Sequence, residues 1–382
     1  MNPDPKSYIL SESESRAIFE EKIVPAELDN LTTGPSPPPQ RRQPLAVFVI
    51  GQTGAGKTRT APALKAAMMM MMAAGAPAHF IADTYKAYHP AYAALLRAAA
   101  TSGSRNPGLA SQATGPDARR WLAMAVRRAA ARRLDVLVES ACRHEGDFAD
   151  LARVFKEEAT GAGEGEGHDS GTGNRGGYRV EVALVAVPAA LSLLGILTRF
   201  HAGLPEAGSG NLPPRLTPRK VHDDSYAGVL GAAAFIDGDV SASGGGAVVD
   251  QVVVVRRDNL VAYANERVAE AGEEGGGRRR RWARPGSAVE AVLAERRRPL
   301  TENEWAVARA DVQRLRDMKI PGVDAQLEEV EVLLRTLGSA GPSDGDPEFP
   351  ALKPWRLPNT SSGRGTSHEL DEDLEFSLRL GT

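Results

Sequence analysis

Apolar positions along this chain fall into two alternating textures. Short, nearly unbroken apolar runs of strand length stand at LAVFVI (45–50), AHFIAD (78–83), LDVLVES (134–140) and YRVEVALVAVP (178–188). Between them lie longer stretches in which apolar and charged residues mix at helical spacing. An unbroken run bounded by turn residues is how a strand buried on both faces reads, as in a parallel sheet. The intervening stretches predict helices over 58–75, 92–100, 116–133, 146–159 and 189–203. In the first of these, Pro62 is placed in the opening turn, where its missing N–H costs little. The five methionines at 68–72 read as a soft, half-buried helical stretch. Strand, helix, strand, helix at this spacing demands parallel crossovers. The fold class is therefore α/β, three layers with a mainly parallel sheet covered on both faces.

The flanks read differently. SESESRAIFEEKIVP (11–25) predicts a helix opened by a capping box of Ser11 and Glu14 and limited by Pro25. TTGPSPPPQRRQP (32–44) is a stiff Pro-rich linker. VVDQVVVVRRDNLVAYANE (248–266) predicts a β-hairpin turning at Asp258–Asn259. Two amphipathic helices follow over 301–318, with a second capping box of Thr301 and Glu304, and over 324–338. TGAGEGEGHDSGTGNRGG (160–177) is low-complexity and is expected to be a disordered insert, as is the tail from 339.

Composition narrows the class. The chain has 382 residues, 42% of them hydrophobic, so a sizeable core can be buried. Its 39 glycines and 26 prolines fit long loops and inserts. A net charge of −3 gives no pull toward nucleic acid or an anionic membrane. The arginines of 116–133 and of RRRRWARPGS (278–287) read as solvated faces, phosphate or nucleic-acid contact being the alternative. Cys142 is the single cysteine, so no internal disulfide forms and no metal spacing exists. The apolar stretch 182–197 is too short for a span and is broken by Pro188 and Gly195. The N-terminus lacks a signal-peptide pattern. The expectation is a cytoplasmic protein with no membrane and no nucleic-acid partner.

Chemistry enters directly after the first strand. GQTGAGKT (Gly51, Gln52, Thr53, Gly54, Ala55, Gly56, Lys57, Thr58) fits the phosphate-binding loop Gly-x-x-x-x-Gly-Lys-Ser/Thr, with the strand before and the helix after that the motif requires. Its glycines let backbone N–H groups cradle a phosphate at the positive end of the helix. Lys57 is placed on the β- and γ-phosphates and the Thr58 hydroxyl on Mg²⁺. These residues imply a nucleoside triphosphate with Mg²⁺. No guanine-reading Asn-Lys-x-Asp is present. A small-molecule kinase needs a carboxylate to take the acceptor's proton and cations to neutralise the phosphoryl group in transfer. Asp83 is the candidate base, a helix N-cap being its structural alternative. Glu139 is the candidate to orient substrate or the metal's water shell, with a strand-end salt bridge as the alternative. Both acids and the loop fall at carboxyl ends of predicted strands, where ligands of such sheets bind. Arg199, late on a helix, and Arg215, Arg219 and Lys220, in a Pro-rich loop before another helix, are the candidate cations, surface charge being the alternative.

In order along the chain, these pieces resemble the zeta toxin family of bacterial toxin–antitoxin systems. RAIFEEKIVP precedes GQTGAGKT, and ADTYKAYHPAY (82–92) is similar to the family's Asp-x-Phe-Lys-x-x-His-Pro-x-Tyr. VLVESACR (136–143) looks like its Glu-Gly-Thr-x-Arg strand end. VALVAVPAALSLLGILTRF (182–200) and PRLTPRKVHD (214–223) look like its Ser-x-x-Gly, Arg-Phe and Arg-x₆-His-Asp segments. Residues after 248 resemble the C-terminal part of longer actinobacterial-type members, so the likeness spans about 8–335. The resemblance implies a three-layer P-loop kinase fold over 45–236, preceded by an N-terminal helix and linker (1–44) and followed by a hairpin-and-helix extension (237–338) and a tail (339–382). It implies ATP, Mg²⁺, and UDP-N-acetylglucosamine as the acceptor phosphorylated on its 3′-hydroxyl. Asp83 maps to the catalytic base, Lys57 to the phosphate-loop lysine, and Arg199 and Arg215 to the neutralising arginines. Glu139, Arg143 and His89 map to the substrate side, and an antitoxin partner is implied. Three positions depart from the family pattern: Ile81 stands for Asp, Ala123 for Glu and Ala141 for Thr. They motivate two alternatives, an ATP-binding interaction protein without transfer and a kinase for another nucleoside or an antibiotic hydroxyl.

Overall fold

β1 (Leu45–Ile50) lies within the sheet, all six residues buried. Its side chains alternate between the two faces. Ala46, Phe48 and Ile50 enter the larger core cluster, and Leu45, Val47 and Val49 enter the core on the opposite face. This two-sided burial is why the run carries no polar residue. The computed structural model describes residues 4–31, 43–71, 76–101, 108–144, 146–157, 177–203, 216–238, 247–269, 280–338, 349 and 351–355. The expected Pro-rich linker lies mostly, and the expected insert almost wholly, outside the described residues, as do Arg215 and most of the tail.

The strands are β2 (Ala78–Ile81), β3 (Val136–Ser140), β4 (Arg179–Val185), β5 (Gln251–Val255), β6 (Leu260–Ala269), β7 (Arg280–Trp282) and β8 (Lys353–Pro354). Their order is β2-β3-β1-β4-β5-β6-β7, with β8 paired to β6. The first five strands in this order run parallel, Val49 standing opposite Glu139 and Ala183. β6 and β7 are antiparallel. The hairpin β5–β6 turns through Arg256–Asn259, Asn259 adopting φ 63. It continues the parallel sheet directly, because β5 pairs with β4.

Helices cover both faces. On one side pack α5 (Leu109–Ala131), α6 (Gly146–Glu157), α8 (Arg219–Gly238), α9 (Ala288–Arg297) and the N-terminal segment. The other side carries α2 (Lys57–Met71), whose Ala61, Leu64, Ala67 and Met68 meet the sheet. A further core joins α7 (Ala189–His201) to α10 (Glu302–Asp317) and α11 (Val323–Thr336). Two short helices, α3 (Ala82–Tyr85) and α4 (Tyr92–Thr101), follow β2. No helix among the described residues is long and apolar enough to cross a membrane.

Several local expectations are corrected. α1 (Glu12–Ile18) has the predicted Ser11–Glu14 capping box, but the chain does not stop at Pro25. It widens into a π-helix over Phe19–Leu28, where Asp29 N–H reaches back five residues to the Val24 carbonyl and the proline is accommodated. Pro62 is the sixth residue of α2, not in its first turn, so no N–H there bonds the Thr58 carbonyl four residues back. Arg219 and Lys220 stand on the first turn of α8 rather than in a loop, paired i to i+4 with Asp223 and Asp224. The tail returns at 351–355 to add β8 against Leu260 and Val261.

Candidate active site

The carboxyl ends of β1, β2, β3 and β5 converge on one cleft of about 860 Å³. The loop after β1 forms its floor. Gly54 (φ 82) and Gly56 (φ 102) make the turns that residues with a Cβ resist. Gly54 is also pressed on α7, where an added Cβ would stand 2.0 Å from the Ser192 carbonyl oxygen.

A relay of polar groups, buried as far as His222, fixes the loop. Gln52, fully buried, donates through Nε2 to the Val187 carbonyl at 2.9 Å. Ser192 Oγ lies 2.8 Å from His222 Nε2, and His222 Nδ1 lies 2.9 Å from Asp223 Oδ1. Burial lowers the imidazole pKa of His222, against the pull of Asp223. Thr53 N–H donates to Ser225 Oγ at 3.1 Å, so α8 braces the same loop. The Ser-x-x-Gly and His-Asp pieces of the sequence pattern are thus supports of the phosphate loop, with Gly195 passing close to the Gly54 carbonyl.

Lys57 opens α2 and donates to the Gly51 carbonyl at 2.7 Å. Burial pushes its ammonium below the usual lysine range, opposed by the carboxylates of Glu139 and Asp83. Thr58, exposed, lines the cleft beside it.

Asp83 sits on the first turn of α3, two residues past the end of β2, not at the strand end itself. Lys86, buried, is ion-paired with its Oδ1 and donates to Ser111 Oγ at 3.0 Å. Glu139 lies on β3 opposite Ile81, buried, with His79 Nε2 2.9 Å from its Oε1. Arg199 on α7 lines the cleft, with Thr217 Oγ1 accepting from its Nη2 at 3.4 Å. Arg143 also lines the cleft. Burial and the neighbouring Arg119 lower the pKa of its guanidinium, and its ion pair with Asp224 spans 4.0 Å. Ile81, Ala123 and Ala141 form part of the wall.

His89 is not brought to the cleft. It is buried behind it, Nε2 at 3.1 Å from the Tyr8 carbonyl and Nδ1 accepting from Ala91 N–H at 3.1 Å, and it joins the N-terminal segment to α5 beside Asp117. Arg215 lies outside the described residues. Among the cleft residues that the sequence did not single out are Lys86 and Arg257. Lys86 lies one turn beyond Asp83, at the spacing of a helical ion pair. Arg257 follows the valines of β5, and its Nη2 donates to the Gly54 carbonyl at 2.6 Å.

For a divalent cation, the fit rests on the donor set. Among the described residues no group of three or more His, Cys, Asp or Glu side chains could hold a metal. Among the side chains lining the cleft, the Thr58 hydroxyl and the carboxylates of Asp83 and Glu139 offer oxygen donors. That suits Mg²⁺, which keeps waters and takes most remaining ligands from triphosphate oxygens.

A family model described as zeta toxin matches residues 29–160 and 171–268, more than half of the chain. No curated protein matches the sequence significantly. Among solved structures, one from the PezAT chromosomal toxin–antitoxin system of the human pathogen Streptococcus pneumoniae is similar at 15% identity and a TM-score of 0.53. The alignment covers 81% of this chain and 98% of that one, a likeness of fold. The AvrRxo1-ORF1:AvrRxo1-ORF2 complex with sulphate ions aligns over 78% of each chain at 14% identity, with a TM-score of 0.36, too low to count as a shared fold.

Proposed function

Because the chain belongs to the zeta toxin family, we propose that it is an ATP-dependent kinase that transfers the γ-phosphoryl group to a sugar hydroxyl of UDP-N-acetylglucosamine. The observation that carries this reading is one cleft lined by the phosphate loop, Lys57, Asp83, Glu139 and Arg199 together. A donor loop faces a carboxylate and a cation across a space of small-molecule size.

In the reaction, the acceptor oxygen attacks the γ-phosphorus and gives its proton to the Asp83 carboxylate. The bond from the γ-phosphorus to the bridging oxygen breaks, and ADP leaves. Lys86 orients Asp83 through its ion pair. The loop amides and Lys57 hold the β- and γ-phosphates, and Arg199 offsets charge on the group in transfer. We assign Arg215 the same role. Thr58 would hold Mg²⁺, which would supply charge neutralisation of the triphosphate. Glu139 and Arg143 orient the acceptor. The family also suggests a protein antitoxin as partner.

A second reading is favoured by Ile81, Ala123 and Ala141 on the cleft wall. Three side chains there offer no hydroxyl or carboxylate, so a different acceptor hydroxyl, of another nucleoside or an antibiotic, or an ATP-binding protein without transfer, fits that wall. Incubation of purified protein with ATP, Mg²⁺ and a panel of sugars and nucleosides, read by mass detection of phosphorylated product, separates the readings. Product with UDP-N-acetylglucosamine supports the first. Product only with another acceptor supports re-specialisation. ATP binding with no product from any acceptor supports loss of transfer.

A further inference from the structure

The turn between β5 and β6 is tied to different parts of the molecule at nearly every residue. Arg256, fully buried, pairs through Nη1 with Glu295 of α9 at 2.9 Å and through Nη2 with Glu304 of α10 at 2.5 Å. Asn259 accepts from Thr60 Oγ1 of α2 at 2.8 Å. Between them Arg257 reaches the phosphate loop. Its Nη2 donates to the Gly54 carbonyl at 2.6 Å and to the Leu191 carbonyl of α7 at 2.7 Å, and its Nε to the Ala55 carbonyl at 3.3 Å. Its stem lies against Gly56, where an added Cβ would meet Arg257 Cγ at 3.0 Å.

We infer that Arg257 is a positioning residue for the donor phosphates: its guanidinium locks the phosphate loop to α7 and holds it in the curvature that receives the nucleotide. This deepens the kinase reading and rests on it. In a trans peptide the carbonyl and the following N–H point opposite ways. Holding the Ala55 carbonyl therefore turns the Gly56 N–H away from Arg257. A planar fork with several donors can bridge three carbonyls on two elements, which a single ammonium cannot do as rigidly. Its charge is met by carbonyl dipoles, and burial together with Arg59 pushes the guanidinium down to about 10. A desolvated cation against the loop also adds positive potential where a triphosphate would bind. The Arg256 network on the neighbouring residue fixes the direction of the turn, so the C-terminal helices α9 and α10 brace the donor site through it.

The test is titration of the full chain and its variants with a fluorescent ATP analogue and Mg²⁺, alongside melting curves without nucleotide. Arg257→Gln is expected to weaken binding about tenfold or more, because buried carbonyls lose a charged donor. Arg257→Lys, which restores charge without the fork, is expected to recover part of that loss. Melting temperatures are expected to move by only a few degrees. Binding by the glutamine variant within twofold of the parent overturns the inference. Should that variant fail to fold, the lysine variant decides, and parent-like affinity overturns the inference. A parent that binds ATP yet phosphorylates no acceptor defeats the kinase reading while these affinities still judge Arg257. A parent that binds no ATP overturns both.

Discussion

Replacing Gly54 with alanine tests the donor loop quantitatively. At φ 82 an L-residue is strained, and its Cβ would lie 2.0 Å from the Ser192 carbonyl oxygen and 3.0 Å from Ile196 Cγ1. Non-bonded contacts are optimal near ~3.5 Å, so the loop and α7 must part by roughly 1 Å or more. The backbone strain alone is worth about 1–3 kcal/mol. A misplacement of ~1 Å among groups that position a reacting substrate can cost ~100-fold. We expect ATP affinity to fall about 100-fold, which corresponds to ~2.7 kcal/mol. Isothermal titration with Mg-ATP reads this directly. Two further variants separate the causes. Gly203→Ala meets positive φ (67) with no atom within 4 Å, so it carries strain without a clash and should leave ATP affinity unchanged. Gly51→Ala lacks positive φ but meets Val185 Cβ at 3.0 Å and should fall between the two. ATP binding by Gly54→Ala within threefold of the parent, or an equal loss in Gly203→Ala, would refute the reasoning.

Other outcomes follow from the same structure. Lys57→Ala should reduce transfer by at least ~100-fold, measured as initial rate of product formation, because a preorganised cation on the phosphates is lost. Glu181, fully buried on β4 with Oε2 unpartnered and Arg179 on Oε1, has its carboxyl pushed up to about 7 by burial. A raised acid contributes stability below its unfolded value of ~4.3 that is lost as pH rises through about 7. Denaturant unfolding at pH 5 and pH 8 should therefore show the parent losing up to ~3 kcal/mol relative to Glu181→Gln. A difference that does not change with pH contradicts this. Burial pushes the Cys142 thiol up to about 12, so iodoacetamide at pH 8 should leave the folded protein unlabelled and label it once guanidinium unfolds it. Gly228→Ala would place a Cβ 1.6 Å from the Cys142 carbonyl oxygen, and should lower stability by ~1–3 kcal/mol in denaturant unfolding.

The parts of the fold legible in the sequence are those set by local pattern. LAVFVI is β1 to the residue because a strand buried on both faces admits no polar interruption. Both capping boxes formed because Ser11 with Glu14 and Thr301 with Glu304 need only their own backbone. What escaped depends on partners distant in sequence. β7 and β8 are short edges that exist only by pairing with β6. α5 begins at Leu109, ahead of Pro116, where the chain packs on α4 and the N-terminal segment. In the cleft, strand ends pointed to Glu139 and nearly to Asp83, whereas motif likeness alone set His89 on the substrate side, and it is buried elsewhere. Arg257 was open to the strand-end argument: it follows the valine run of β5, as the loop follows β1. Its bond to Gly54, 203 residues away, was not readable.

The proposed reaction is transfer from ATP to an acceptor hydroxyl with Asp83 as the base. It is tested most directly by following ADP release and phosphorylated product together, with UDP-N-acetylglucosamine as acceptor, for the parent and for Asp83→Asn. Acceptor-dependent product is expected from the parent, with a rate lower by about 10²–10⁴ in the variant and ATP binding retained. Transfer by Asp83→Asn as fast as by the parent would contradict it.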